Sequence, residues 1–417
     1  MKIILSHFLS NLTTLLIITL LMLQASNSVA LETELNCDGK HMLALEENND
    51  HIACAIIIDD ELIFPRNLIA HSSQIWLIDK GSNLFVNGKN NGALYHYQKS
   101  TDGYIRSKML SNLDDPNDIA IRKHRNDENW IYFTTRDKVQ RIKATPISQP
   151  ATSEAPIDVK PETIITNLPT EGWHKLGAIH LTQDALFLTV PSATDHCEVE
   201  GIYGLVEYPC SEEGNGTAVI RKYTFDEDKL SLKYEVIAHG LRDALAVQLS
   251  PDKEKLIVAD NGWDQVDLSD TEYEYVTTPH DEINIIDLSK VEHFGWPYCF
   301  DNDLVIPPYR RFVKSCEGYQ PPHILLPAHS APLNMMYFNG ELLVNLHGNS
   351  QAGGKTVSFV LDDAGIPVAG STIKLNWHYN IIAGIGRPFG LSQTNNNELL
   401  LTDDWNHQLI KVIFKEN

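Results

Sequence analysis

Beyond its first thirty residues the 417-residue chain has no apolar run near the ~20 residues that a bilayer-spanning helix needs, which excludes a bundle of membrane helices. Positive charge is scarce, with 33 Lys and Arg against 55 Asp and Glu and a net charge of −22. Phosphate backbones and anionic lipid repel such a chain, so neither nucleic acid nor a membrane surface is its main partner. Glycine (24) and proline (20) are too few for a collagen-like or proline-rich filament. The cysteines form no CxxC pair and no Cys/His zinc spacing, and a CxxCH haem-attachment motif is missing. Helical periodicity is nearly absent after the N-terminal segment. What remains is 43% hydrophobic and 21% charged, the balance of a packed core rather than of disorder.

The N-terminus reads as a secretory signal over residues 1–30. Lys2 supplies the positive end, Leu15 to Leu23 the apolar run, and Ser28-Val29-Ala30 the small-residue cleavage site. Residues 31–417 then form the exported domain, and the expected location is periplasmic or secreted, with no membrane insertion after cleavage. Its cysteines are Cys37, Cys54, Cys197, Cys210, Cys299 and Cys316. An even number in an exported chain favours disulfides, although six cysteines allow 15 connectivities. Neighbours in sequence are 17, 13 and 17 residues apart, and local pairs would each staple a loop. Asn215-Gly216-Thr217 is a glycosylation acceptor in a eukaryotic host.

One short apolar run recurs through the chain: Ile75–Ile78, Ile131–Phe133, Leu186–Leu188, Leu256–Val258, Leu342–Val344 and Leu399–Leu401. Successive runs begin 56, 55, 70, 86 and 57 residues apart. Each follows a strand-like segment and precedes a polar turn, often with Asp, and another alternating segment such as Val139–Ile142 or Gln408–Val412. Repeated units of this kind predict an all-β, six-bladed β-propeller with four-stranded antiparallel blades. A two-sheet sandwich accounts less well for comparable units along the whole length. The two longest intervals contain Cys197/Cys210 and Cys299/Cys316, so function is expected on those insertions.

The strand opening each blade lies nearest the axis. At its start stand Arg66, Asn117, His174, Arg242, His329 and Arg387. All are polar, and three are arginines in an acidic protein. Converging on one mouth of the channel, they would make an anion site, because guanidinium pairs in a fork with carboxylate. The plainer reading is that each arginine neutralises an adjacent acid such as Asp118 or Asp243.

The motifs Gly240-Leu241-Arg242, Ala259-Asp260-Asn261-Gly262, Asp281-Glu282-Ile283-Asn284, Gly295-Trp296-Pro297-Tyr298-Cys299, Pro327–Leu333 and Gly386-Arg387-Pro388-Phe389-Gly390 follow in a characteristic order. By that order the chain from Pro65 to Val412 resembles the glucose/sorbosone dehydrogenase family of soluble, PQQ-dependent aldose dehydrogenases. The resemblance implies PQQ and calcium as cofactors and an aldose or sorbosone-like aldehyde as substrate, oxidised to a lactone or acid. It implies His174 as the general base, a role that suits an imidazole of pKa near ~6.5. Arg242 and Arg387 match its cofactor-binding arginines, while Arg66 and Asn117 sit at equivalent blade positions. A basic residue from the fifth blade corresponds to Lys355, with His347 second. Backbone carbonyls at Gly262 and Trp263 would bind calcium, beside the acidic residues Asp264, Asp267, Asp270, Glu272 and Glu274. Electrons would leave to a separate acceptor.

Two features depart from that pattern. Asp243 follows Arg242 where Asn is expected, bringing a carboxylate close to a tricarboxylate cofactor unless it pairs with Arg242 or metal. The loop between Gly262 and Asp281 is long. Two other functions compete. One is a non-catalytic propeller binding module, which Asp243 favours but the retention of His174, Arg242 and Arg387 does not. The other is a calcium-dependent propeller lactonase, which would hold its metal at the axis with Asp, Asn and Glu side chains, where only Asn117 stands among arginines and histidines.

Overall fold

The computed structural model describes residues 41–43, 53–82, 91–101, 103–144, 159–169, 172–199, 205–264, 277–348, 352–376, 386–395 and 397–414. The signal segment and Cys37 lie outside them. No α-helix occurs among the described residues. Each recurrent apolar run is the second strand of a blade: Gln74–Asp79, Asn129–Thr135, Ala185–Val190, Lys255–Asp260, Glu341–Leu346 and Glu398–Asp403. These strands are almost wholly buried, with little of the alternation of a half-exposed sheet. The cause is that both faces of each blade are covered. Separate apolar clusters fill every junction between adjacent blades, for example Trp76, Ile78 and Leu94 against Ile119, Ile131 and Phe133.

Each of the six blades has four antiparallel strands in meander order. The innermost are Pro65–His71, Ile119–Lys123, Ile179–Leu181, Ala244–Leu249, Pro332–Phe338 and Pro388–Asn395, and each touches the next around the ring. The ring closes between sequence ends. Ala53–Asp59 pairs with Gln408–Phe414, Ala55 opposite Val412, so an N-terminal strand completes the last blade. Closure removes the exposed edges of an open array. A cavity of about 380 Å³ runs along the axis, lined by Asn67, Asp118, His180, Gln248, Asn334 and Ser392 among others.

The two insertions form one further body. Disulfides Cys197–Cys210 and Cys299–Cys316 each close a loop, and the loops share an apolar cluster with Trp263, Trp296 and Tyr309. Trp296 Nε1 donates to Asp195 O at 2.9 Å and Tyr309 Oη to His196 O at 3.0 Å. Cys54 is also disulfide-bonded.

Candidate active site

The six axial residues stand at the entrances of the innermost strands, as the repeat requires, and so face one end of the ring. A second set completes that end. In an antiparallel hairpin the start of one strand lies beside the end of the next, so residues leaving each second strand join those starting the first. Asp79 is opposite Pro65, Asp260 opposite Ala244, and Asp403 opposite Pro388. The recurrent Asp acts as a clasp there. Asp260 accepts the backbone N–H groups of Arg242 and Asp243 at 2.9 and 2.7 Å, Asp403 that of Arg387, and Asp79 those of Ile63 and Phe64. The first strand bulges just beyond each of these clasps, a device that re-aims side chains. The next residues, Lys80, Asn261, His347 and Asp404, continue into the mouth.

His174 belongs to the third blade. Its Nδ1 lies 2.9 Å from Ser192 O and 3.1 Å from Ser192 Oγ. A carbonyl only accepts, so Nδ1 carries the proton and the Nε2 lone pair is left available. Ser192 Oγ donates in turn to Thr194 O at 2.6 Å. Burial, and then the charge of Arg242, lower the pKa of His174, while Asp243 acts the other way. The imidazole is therefore neutral at pH 7.

Arg242 is buried, and its direct ion-pair partners are Asp195 and Asp264 rather than Asp243 or Asp118. Its Nε donates to Asp195 Oδ1 at 2.9 Å, Nη1 to Asn261 O at 3.3 Å, and Nη2 to both Asp195 and Asp264. Despite burial, Asp195 and then Asp264 hold its pKa above the usual value. Asp243 instead accepts from Asn261 Nδ2 at 3.2 Å, leaving Asn261 Oδ1 buried without a hydrogen bond. Asn117 donates from Nδ2 to Leu176 O at 3.2 Å, which ties the second blade to the third.

Cations gather around the first and sixth blades. Arg66 lies between the rings of Phe64 and Phe389, 4.3 and 4.4 Å from their centroids, and its Nη1 meets Asp404 at 3.3 Å. Its Nε is buried and unpaired. Lys80 pairs with Asp115 at 2.7 Å. Burial lowers the pKa values of Arg66, Lys80 and Arg387. Arg387 further depresses Arg66, and Arg66 and Lys175 depress Lys80. Crowded cations with an orphaned N–H fit an anion with several carboxylates, which would relieve both.

The fifth blade contributes His347, which sits in this group beside Arg387. Lys355 opens that blade's third strand, its backbone paired with Leu346 and Asn376. Gly262 donates its N–H to Asp281 Oδ1 at 2.8 Å. Asp267, Asp270, Glu272 and Glu274 lie outside the described residues. Among the described residues no three His, Cys, Asp or Glu side chains form a metal cluster. A cation beside Gly262 and Trp263 would therefore draw on carbonyl oxygens, with Asn261 Oδ1 as the unpaired oxygen at that place.

The sequence matches the TrAA12-like family over residues 55–306. The chain belongs to the TrAA12-like family. The structure of the Trichoderma reesei carbohydrate-active enzyme of family AA12 is similar, with a TM-score of 0.67 and 15% identity over 89% of this chain and 98% of that one. The holo PQQ domain of Coprinopsis cinerea pyranose dehydrogenase gives 0.65 and 17% identity over 89% and 97%. The soluble aldose sugar dehydrogenase of Escherichia coli, in apo form, gives 0.56 and 12% over 86% and 99%. An uncharacterized protein of Borreliella burgdorferi is 27% identical over 199 residues, 44% of this chain; the match spans 50% of that protein. These likenesses establish the propeller. In this TrAA12-like chain, the second-strand exits Lys80 and Asp404, with Asp195 and Asp115, are the mouth residues that reading only the first strands misses; His347, the second choice for the fifth blade, stands among them. The Asp that ends the second strand in the first and sixth blades, Asp79 and Asp403, was the signal for Lys80 and Asp404.

Proposed function

We propose that this chain is an exported, PQQ- and calcium-dependent dehydrogenase that oxidises aldoses or sorbosone-like aldehydes to lactones or acids. The observation that carries the reading is His174. It holds a fixed Nδ1–H and a free Nε2 at the mouth, which also gathers the cations Arg66, Lys80 and Arg387. Bound there, PQQ would supply a two-electron quinone acceptor for hydride. Its carboxylates would be met by Arg66, Arg387 and Lys80, with Asn117 and Arg242 bordering the site. His174 Nε2 takes the proton of the sugar hydroxyl as hydride leaves its carbon, so the substrate loses a proton and a hydride together. The Nδ1 bond to Ser192 keeps the ring oriented while positive charge develops. Asp243, tied to Asn261, is a carboxylate that favours that charge, so this departure from the family pattern is compatible with base catalysis. Calcium at Asn261–Trp263 would act as a Lewis acid. The electrons pass to a separate acceptor.

The test is the visible spectrum of purified protein with PQQ and Ca²⁺, before and after a panel of aldoses. A bound-quinone spectrum that converts to the reduced form on sugar addition is expected. Absence of PQQ binding with Ca²⁺ present overturns the cofactor assignment and favours a binding module.

A further inference from the structure

His347 occupies a position unlike that of His174, although both reach the same mouth. Its Nε2 lies 2.9 Å from both oxygens of Asp404, and Asp404 is fully buried. Its Nδ1 lies 2.9 Å from Arg387 Nη2. A guanidinium only donates, so Nδ1 must be the bare nitrogen and Nε2 must carry the proton. The tautomer is thus fixed from both sides. Arg387 is held by His347 twice, because its Nε also donates to the His347 carbonyl at 3.3 Å.

We propose that His347 is a positioning residue that works only as the neutral, Nε2-protonated imidazole, clasping Arg387 to Asp404 and holding the guanidinium ready for an anion. The proposal deepens the anion-binding half of the function given above and rests on it. A second proton would place N–H against N–H. The bond to Arg387 would break, and two cations would face each other within the cluster that also contains Arg66.

Asp404 faces Nε2, with Arg66 on the far side of the same carboxylate at 3.3 Å. Arg387 faces Nδ1. The Phe389 ring lies edge-on at 5.9 Å, and the backbone N–H of His347 donates to Ala331 O at 2.9 Å. Burial lowers the pKa of His347, Arg387 and Arg66 lower it further, and Asp404 opposes them. The neutral form accordingly prevails at pH 7. Asp404 supplies one shared negative charge for Arg66 and Arg387, and a neutral histidine can relay it without adding a further cation.

Two readouts test this in the full-length exported protein. The first is ¹⁵N NMR of histidine-labelled protein without cofactor, His347 being assigned by the signal lost in His347→Gln. An Nε2–H tautomer with bare Nδ1 at pH 7 is expected; a doubly protonated ring or an Nδ1–H tautomer overturns the clasp. The second is the affinity for PQQ, with Ca²⁺ present, between pH 5 and 8. Wild type should hold a plateau at high pH and weaken by about tenfold per pH unit once His347 titrates. His347→Gln, which can still accept from Arg387, should bind a few-fold more weakly and lose that acid limb. His347→Leu, which cannot, should bind at least about tenfold more weakly at every pH. An acid limb unchanged in His347→Gln overturns the proposal. If wild type binds no PQQ at any pH, the proposed function falls, and the tautomer alone decides the clasp.

Discussion

Arg242 directs its Nε and Nη2 to the carboxylate of Asp195, a fully buried group 47 residues earlier in the chain. The pair links the blade-four entrance to the disulfide-closed insertion, because Trp296 Nε1 and Asp264 N donate to the same Asp195. Removing one partner of a buried pair leaves an uncompensated charge, which costs ~3–5 kcal/mol. Asp195→Ala should therefore lose that much in urea unfolding. Asp264→Ala, whose side chain is 68% exposed, should lose under ~1 kcal/mol. Equal losses would contradict the assignment of Asp195 as the anchor. Burial opposes ionisation of Asp195, yet His196 and Arg242 hold its pKa below the usual range. The stabilisation is thus present above the unfolded carboxylate pKa and fades as pH falls through the lower folded value.

His174→Gln should lower turnover by ~10²- to 10⁴-fold, the range for losing a general base, with PQQ affinity within about threefold of wild type. Since burial and Arg242 lower its pKa, wild-type activity should rise from the acid side with a midpoint below the ordinary histidine value of ~6.5. A midpoint at or above that value, or parallel losses of binding and turnover, would move His174 out of the base role.

The propeller was legible because each blade repeats one fully buried strand, and a run such as Leu399–Leu401 has no polar residue to blur it. The first-strand mouth residues followed from register alone. The second-strand exits were harder, since Lys80 or Asp404 reads as an ordinary surface charge until the hairpin brings it beside the axis. Partners from separate blades were not legible at all. Nothing local ties Asp195 to Arg242, which the packing of the third blade's insertion on the fourth blade brings together, or Asp404 to Arg66 across 338 residues, which only ring closure makes neighbours. Lys355 and His347 stand at the same end of the fifth blade, Lys355 opposite Leu346, so spacing alone does not choose between them.

Asp118 joins three blades by accepting from Asn67 Nδ2 in the first, from its neighbour Ile119 N at 2.8 Å in the second, and from Ile179 N at 2.6 Å in the third. Burial raises its pKa to about 6, against the pull of these donors. A folded pKa above the unfolded one contributes stability that is complete below ~pH 4 and is lost as pH rises through about 6. Asp118→Asn should cost ~1–3 kcal/mol at pH 4, because its amide cannot accept at both positions. The gap from wild type should narrow toward pH 8. Denaturant titrations at the two pH values check this, and a gap that widens with pH would show a carboxylate ionised throughout.

The disulfide loops carry the last test. Loops of about this size gain ~3 kcal/mol each from closure, but that stabilisation is local. The insertions pack on one another through Tyr298, Tyr309 and Trp296, outside the clusters between blades. Opening Cys299–Cys316 by Cys299→Ser with Cys316→Ser should leave the blade cores protected. It should instead loosen the Trp296 bond to Asp195 and, through it, Arg242. Hydrogen exchange should then quicken over 294–321 and 191–199, with the second strands unchanged, and PQQ affinity should fall before the global transition moves. Acceleration spread evenly over all blades would mean that the insertion is part of the propeller's cooperative core, and that Arg242 is held by the ring alone.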